Sequence, residues 1–362
     1  MNPVQNTSNP LPAQASRSRV PVGRLTTVGS YSFLWHPRTV VVVIALVLLV
    51  LLLGIVSMGT GTIRLSFGDV VGTLLGQNQN AGITKVVTGI RLPRLVTAVF
   101  VGASLGMAGA VFQSISRNAL GSPDIIGFTT GSATGAVLQI IVFNAGAAAT
   151  AAAAVVGGLL TAGIVYLLSI KGGVTGGYRL VLIGIGVGSI LGALNTLLLA
   201  KGSLELAQSA YLWLNGSLNA RTWEQAAPVA VGFLVLLPLI GWYGRNLNLM
   251  ELGDDSARQL GVSVERTRLV MMGAAVALTA LATAAAGPIA FIALAAPQLV
   301  LRLTRGTRVP LLSSAVMGAA LLVGSDLLSL YLPVKAAIPI GLMTGLVGGV
   351  YLLWLLTRSR QL

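Results

Sequence analysis

Residues 40–56 read VVVVIALVLLVLLLGIV and contain no charged side chain. A helix needs about 20 predominantly apolar residues to cross the hydrocarbon core of a bilayer, and this run with its flanks reaches that length. The same character extends along the chain, because 55% of its 362 residues are hydrophobic and only 9% are charged. The composition therefore predicts an integral membrane protein.

Further apolar runs predict an all-α, polytopic fold with about ten transmembrane helices. No stretch between these runs is long enough for an independent soluble domain, so residues 39–362 are predicted to form a single transmembrane domain. The predicted spans are 39–58, 94–114, 124–143, 148–170, 178–200, 226–244, 268–286, 288–304, 310–330 and 340–357.

The basic residues predict how these spans are oriented. An even number of spans places both termini on one side of the membrane, and most of the 23 Lys and Arg residues then fall on that side. Cytoplasmic loops are enriched in Lys and Arg. We therefore expect a multi-pass protein of the cytoplasmic (inner) membrane with both termini in the cytoplasm. The net charge of +14 then reflects topology and attraction to anionic membrane lipid, and not a nucleic-acid partner.

Residues 1–38 precede the first span and are polar, rich in Pro, Ser and Arg, with no acidic residue. This composition predicts a disordered cytoplasmic tail. A cleaved signal peptide is not expected, because the first apolar run starts only near Val40 and is already of spanning length.

The residue census argues against several classes of enzyme. Cysteine is absent and His36, beside Trp35, is the only histidine. A zinc site or a Ser–His hydrolase centre inside a span therefore lacks its residues. No Walker glycine loop occurs, so ATP used by this protein must be hydrolysed on another chain. We expect no catalytic residue, no metal site and no cofactor bound by this chain.

Polar residues inside the predicted spans are few and mostly neutral. Carriers driven by ions usually hold carboxylates or basic residues at mid-span. Here Asp124 and Asp326 are the candidates, and both fall near span ends. The pattern disfavours a carrier that works alone.

Residues 250–262, MELGDDSARQLGV, place three of the nine acidic residues between two long apolar runs. Leu252 and Leu260 lie eight residues apart, as on one face of a short helix whose start Asp254 or Asp255 can cap. Two interpretations remain open. The segment docks into a groove on a partner protein, or it is a solvated loop that holds two helices apart.

Five further segments together resemble the FecCD/BtuC permease family, the membrane subunits of ABC importers for ferric siderophores, haem and vitamin B12. The resemblance runs from about residue 40 to the C-terminus, and residues 253–261 resemble the family's cytoplasmic coupling segment. The five segments are RLPR at 91–94, VGASLGMAGAVFQ at 101–113, RNALGSPDIIG at 117–127, GPIAFIALAAP at 287–297 and IPIG at 338–341.

The resemblance implies an assembly as well as a fold. Family members have ten spans, and two permease subunits work with two copies of an ATPase that binds ATP–Mg, while an extracytoplasmic binding protein docks from outside. Residues 184–187 and 250–255 are most similar to those of the G-type permeases of ferric-enterobactin importers. A permease of that type pairs with a distinct, related permease, so a heterodimer is expected over a homodimer.

The resemblance also implies roles for individual residues. The coupling segment would dock on the ATPase, the arginines of RLPR would pair with carboxylates of the binding protein, and a weakly binding pathway would run between the permease subunits. The coupling residues would be Glu251, Leu252, Gly253, Asp254, Asp255, Ala257, Arg258, Leu260 and Gly261; the docking residues Arg91, Arg94 and Lys335; and the pathway residues Ser104, Gln113, Ser189 and Asn195.

The expected cargo is a ferric siderophore similar to enterobactin. Within the family the alternative is haem or a cobamide. From a different class, the alternative is an ion-coupled secondary transporter.

Overall fold

The computed structural model describes residues 24–28, 31–61, 63–78, 80–171, 174–175, 177–306, 308–332 and 338–358. Over these ranges the chain is almost entirely helical, apart from two short antiparallel hairpins. The strands are β1 (Arg24–Val28) paired with β2 (Tyr31–Trp35), and β3 (Ile170–Lys171) paired with β4 (Val174–Thr175).

Part of the predicted disordered tail forms the first hairpin. Residues 1–23 lie outside the described residues, whereas the sequences RLTTV and YSFLW pair in register as β1 and β2. Both strands are rich in β-branched and aromatic residues, which favour extended backbone. The polar composition of residues 1–38 as a whole does not reveal these two short strands.

Fourteen α-helices follow within the described residues, with a π-helical turn (Val87–Arg91) leading into the fourth. They are α1 (Pro37–Gly59), α2 (Phe67–Leu74), α3 (Ala81–Val86), α4 (Leu92–Ser116), α5 (Phe128–Ile141), α6 (Ala147–Ser169), α7 (Gly177–Lys201), α8 (Leu204–Leu214), α9 (Trp223–Met250), α10 (Asp254–Gln259), α11 (Val264–Ala286), α12 (Ile292–Thr304), α13 (Leu311–Tyr331) and α14 (Ile340–Arg358).

Each of the ten predicted spans coincides with one of these helices, which confirms the all-α, polytopic prediction. Seven helical segments of the described chain are long and apolar enough to cross a membrane: α1, the continuous stretch Ala81–Ser116, α6, α7, α9, α11 and α13. The other three predicted spans fall on α5, α12 and α14.

Two predicted spans begin too early. The span predicted from residue 288 becomes helical only at Ile292, because Gly287 (φ 76°) and Phe291 (φ 70°) adopt left-handed backbone that interrupts the helix. The span predicted from residue 124 begins at Phe128 for the same reason, since Gly127 has φ 84°. Apolar composition alone does not reveal these breaks.

Helix α4 lies at the centre of the bundle and packs against α9, α11, α12 and α13. Its contact with α13 depends on glycine. A Cβ atom on Gly106 would lie 2.2 Å from the carbonyl oxygen of Ser314, and one on Gly318 would lie 2.1 Å from the carbonyl oxygen of Gly102. Small residues at such crossings let two backbones approach closely, which is how helices associate in lipid.

Two hydrogen bonds between distant parts of the chain show which helix termini lie at the same end of the bundle. At the N-terminal end of the bundle, where α1 begins, Arg38 Nε donates to the carbonyl oxygen of Leu303 over 2.7 Å. At the opposite end, Trp223 Nε1 donates to the carbonyl oxygen of Thr88 over 3.1 Å. Helix α9 runs from that opposite end back to the N-terminal end, so the loop after it lies with the start of α1.

Candidate functional site

The segment between α9 and α11 forms a compact turn around the six-residue helix α10. Gly253 (φ 108°) precedes α10 and Gly261 (φ 81°) follows it. Both values lie in the left-handed region, where a side chain would be strained. The two glycines therefore reverse the chain on either side of α10. The prediction that an acidic side chain caps this helix is wrong, because its N-cap residue is Gly253 and Asp254 is already helical.

An apolar cluster fixes α10 to its neighbours. Ala257 is fully buried and packs with Met250, Val262 and Val264, which are also buried. Ala257 was expected among the residues that contact a partner, but its burial gives it a packing role instead. Only a small side chain fits where α10 crosses the junction of α9 and α11.

Asp254 ties this turn to two membrane helices. Its Oδ1 accepts from Arg117 Nη2 over 2.5 Å, and its Oδ2 accepts from Arg268 Nη2 over 2.8 Å. Arg117 directly follows α4 and also donates to the carbonyl oxygen of Met250, while Arg268 lies in the first turns of α11 and also donates to Glu265 Oε1. The carboxylate therefore joins α10 to the end of α4 and the start of α11.

Burial raises the pKa of Asp254, but the hydrogen bond and charge of Arg268 and the charges of Arg117 and Arg258 lower it further, so the net pKa lies below its ordinary value. A carboxyl with a lowered folded-state pKa contributes stability above its unfolded-state value, about 3.9, and loses it as the pH falls through the folded-state value. The ion pairs of Asp254 are therefore intact across the neutral range.

The outward side of the turn carries two apolar side chains. Leu252 and Leu260 remain 65% and 60% exposed, on either side of α10. Asp255 and Arg258 are paired with each other over 2.8 Å and are also exposed. Glu251 accepts a hydrogen bond from Ser114 Oγ at the end of α4. Of the predicted coupling residues, the two leucines and the exposed pair face outward, whereas Asp254 and Ala257 face the protein.

At the opposite end, both arginines of the RLPR stretch are engaged within the chain. Arg91 donates to the carbonyl oxygen of Met58 in the last turn of α1 and to that of Ile63 in the segment after it. Arg94 forms a two-pronged pair with Asp326 of α13, with Nε–Oδ2 and Nη2–Oδ1 distances of 3.1 and 2.8 Å. Asp326 is buried and Arg94 is partly exposed. Lys335, the third predicted docking residue, lies outside the described residues.

The four predicted pathway residues do not share one surface. Ser104 is fully buried in α4, and Gln113 donates from Nε2 to the carbonyl oxygen of Leu294 over 3.0 Å. On α7, Asn195 is buried, whereas Ser189 is exposed and its Oγ donates to the carbonyl of its own helix. Sequence reasoning selected polar residues in spans, and three of these four are held inside the subunit.

Three residues that organise these sites were not predicted from the sequence. Arg117 begins one of the segments that carry the family resemblance, but neither its pairing with Asp254 nor that of Arg268 is predicted by the sequence. The same holds for Gln298, which donates to Gln113 Oε1 over 2.7 Å. The composition does contain a usable signal. Because the chain has only nine acidic residues, an arginine near the end of a span has few carboxylates with which it can pair. Among the described residues, no group of three or more His, Asp or Glu side chains is arranged to hold a metal ion.

Replacing Asp254 by Asn should destabilise the protein. The substitution keeps the shape of the side chain but removes the charge shared by Arg117 and the buried Arg268, at a cost of about 1–3 kcal/mol. Thermal unfolding of the purified protein in detergent measures the effect. Asp255→Asn is the matched control, because the side chain of Asp255 is 94% exposed and its removal should change little. Equal unfolding temperatures for the two variants would contradict the anchoring role of Asp254.

Comparisons with known proteins identify the family. Residues 48–358 match the model of the FecCD transport family. The chain is 43% identical over 324 residues to the ferric enterobactin transport system permease protein FepG of Escherichia coli K12, covering 90% of this chain and 98% of that protein. It is 38% identical over 284 residues to the cobalamin import system permease protein BtuC of Halobacterium salinarum, covering 76% of this chain and 74% of that protein. A solved structure described as an inward-facing metal-chelate type ABC transporter superposes with a TM-score of 0.78 at 29% identity, over 88% of this chain and 99% of that chain. The chain is a multi-pass membrane protein and belongs to the FecCD transport family.

Proposed function

We propose that this chain is a permease subunit of an ATP-driven importer that moves a ferric siderophore, similar to ferric enterobactin, across the cytoplasmic membrane. The observation that carries the proposal is the 43% identity to a ferric enterobactin permease over nearly the full length of both chains. A cobamide is the second candidate, supported by a relative that matches a smaller share of the chain.

An ion-coupled carrier fits the structure less well. Its two candidate carboxylates are already engaged by other side chains: Asp326 by Arg94, and Asp124 by Thr129, whose Oγ1 donates to Oδ1 over 2.6 Å. A carboxylate that exchanges a proton or sodium ion during transport needs access to water and a changing set of partners.

In the proposed importer the N-terminal end of the bundle faces the cytoplasm and receives the ATPase. Leu252 and Leu260 enter a groove on that subunit, since exposed apolar side chains that flank a short helix suit a groove on another protein. Asp254 then transmits the movement of α10 to α4 and α11 through its two arginines. ATP–Mg is bound by two copies of the ATPase and not by this chain.

A second permease subunit completes the transport pathway, and a distinct, related chain is favoured over a second copy. Helix α7 supports this role because its exposed surface carries Ser189 and two glycines, Gly186 and Gly192. Apart from the backbone of α7 itself and the adjoining residues, no heavy atom of the described residues lies within 4 Å of the position that a Cβ on either glycine would occupy. A second subunit can therefore approach this helix closely.

The opposite end of the bundle is proposed to receive the extracytoplasmic binding protein. Arg91 and Arg94 serve docking in two ways: they hold the surface in shape through their internal contacts, and Arg94 keeps part of its side chain exposed. Two permease subunits would present two such arginines to the two lobes of the binding protein.

Replacing both Leu252 and Leu260 by Asp should abolish ATPase association, because charged side chains cannot enter an apolar groove without losing their hydration. Co-purification of the partner ATPase from membranes measures the outcome. Leu303→Asp is the matched control, since Leu303 is an exposed leucine at the same end of the bundle but outside the turn. Normal ATPase recovery with the double variant would remove the docking claim.

Substitutions at Arg94 and Asp326 can separate the two proposed roles of Arg94, which are to pair with Asp326 inside the chain and to contact the binding protein. Arg94→Gln together with Asp326→Asn removes both charges and leaves neutral, polar side chains, of which Asn has the length of Asp and Gln is shorter than Arg. If Arg94 contacts the binding protein, the double variant loses affinity while Asp326→Asn alone keeps it. Binding-protein affinity at low salt is the measurement. Full affinity of the double variant for the binding protein would show that Arg94 only pairs with Asp326 and does not contact the binding protein.

The cargo is tested by uptake of ferric enterobactin labelled with radioactive iron, and of cobalamin labelled with radioactive cobalt, in cells that lack and then regain this gene. We expect restored uptake of ferric enterobactin, and little uptake of cobalamin, provided that ATP is available. Restoration of cobalamin uptake alone would select the second candidate. Uptake that stops on collapse of the proton gradient at constant ATP would instead favour the ion-coupled carrier.

A further inference from the structure

A cavity of about 450 Å³ opens at the N-terminal end of the bundle, between the start of α1, the end of α12 and the start of α13. Its walls combine apolar side chains with a polar rim. The apolar wall is formed by Val40, Val43, Ile44, Leu311 and Leu312, and the polar rim by His36, Thr39, Arg308 and Ser313.

The cavity faces the lipid and not the protein core. Val40, Ile44 and Leu312 are exposed on the surface of the bundle, at the end of spanning helices. The surface around the cavity is apolar, and exposed residues of α1 also line the cavity. The cavity is therefore open toward the lipid that surrounds α1. An acyl chain can enter it from the bilayer, whereas a peptide would bring backbone groups that need hydrogen-bond partners.

Arg308 is the charged side chain that lines the cavity. Arg38 and Arg305 are neighbours of lining residues in the sequence, and Arg38 Nε donates to the carbonyl oxygen of Leu303. No acidic residue occurs in residues 1–68 or 266–325, the two stretches of sequence that supply every wall of the cavity.

Glu251 lies in a neighbouring cavity that Arg308 also lines, and its carboxylate accepts a hydrogen bond from Ser114. Among the described residues, no carboxylate oxygen lies within 4 Å of the Arg308 guanidinium. An anionic headgroup can therefore approach this guanidinium.

We propose that this cavity binds one anionic phospholipid, with an acyl chain along Val40, Val43 and Ile44 and the headgroup phosphate toward Arg308. Basic pockets between transmembrane helices are suited to anionic headgroups, and guanidinium groups hold phosphate oxygens through two hydrogen bonds. Charge distinguishes this occupant from the zwitterionic lipids that would fill an ordinary lipid-facing groove.

The bound lipid would also brace the connection between α12 and α13. Val309, which lines the cavity, donates from its backbone N–H to Asn248 Oδ1 near the end of α9 over 2.8 Å. The site therefore lies one contact away from the helix that leads into α10.

Native mass spectrometry of the full-length protein, stripped of lipid in detergent, tests the proposal. Dioleoyl phosphatidylglycerol and dioleoyl phosphatidylcholine are added in equal amounts. We expect preferential retention of one phosphatidylglycerol, and about a fivefold loss of that preference in Arg308→Gln, since each basic residue near the membrane surface contributes about 1 kcal/mol. Arg245→Gln is the matched control, because Arg245 is exposed near the end of α9 but does not line the cavity.

Either of two results would overturn the site. Equal retention of the two lipids by the unaltered protein would show ordinary lipid contact, and equal losses in Arg308→Gln and Arg245→Gln would show a general surface-charge effect. If Arg308→Gln does not fold, Val43→Phe takes its place, since it fills the apolar wall and should expel the lipid while Arg308→Lys keeps it. Glycerol phosphate added in excess should not displace the lipid; displacement would indicate a site for a free phosphate and refute the acyl-chain contact.

Discussion

The close approach of α4 to α13 is the contact on which the rest of the bundle depends. In lipid, burying an apolar side chain gains little, because the surroundings are as apolar as the core, so helices associate through close packing of their backbones. Gly102 and Gly106 meet Ser314 and Gly318 with no room for a Cβ atom. This contact fixes α4 at the centre, and α9, α11 and α12 are then arranged around it.

Ion pairs hold the two ends of α4 to other parts of the bundle. Arg94 lies near the start of α4 and pairs with Asp326 on α13, while Arg117 follows its end and pairs with Asp254 before α11. Each carboxylate takes a guanidinium from another part of the chain, which satisfies groups that would be costly to leave unpaired near the membrane core. With nine acidic residues in 362, the use of two of them as clamps on one helix leaves few for contact with partners.

The spans could be predicted from the sequence because an apolar run of sufficient length has few alternatives in a membrane protein. The starts of α5 and α12 could not, since the left-handed conformations of Gly127 and Phe291 interrupt apolar runs whose composition does not reveal them. Leu252 and Leu260 are exposed, but they flank α10 and do not form one face of it as their spacing predicts. The ion pairs of Asp254 could not be predicted from the sequence. Its partner Arg117 lies 137 residues away in sequence, and no local pattern reports such a pairing.

The two clamps also bear on how a signal would cross the membrane in the proposed importer. Energetic coupling requires an element whose arrangement both sites bias. Helix α4 meets this requirement, because its end is joined to α10 through Asp254 and its start to α13 through Asp326. A displacement of α10 by the ATPase would therefore reach the opposite end along α4 itself, and it would not need a chain of rearranging side chains through the core.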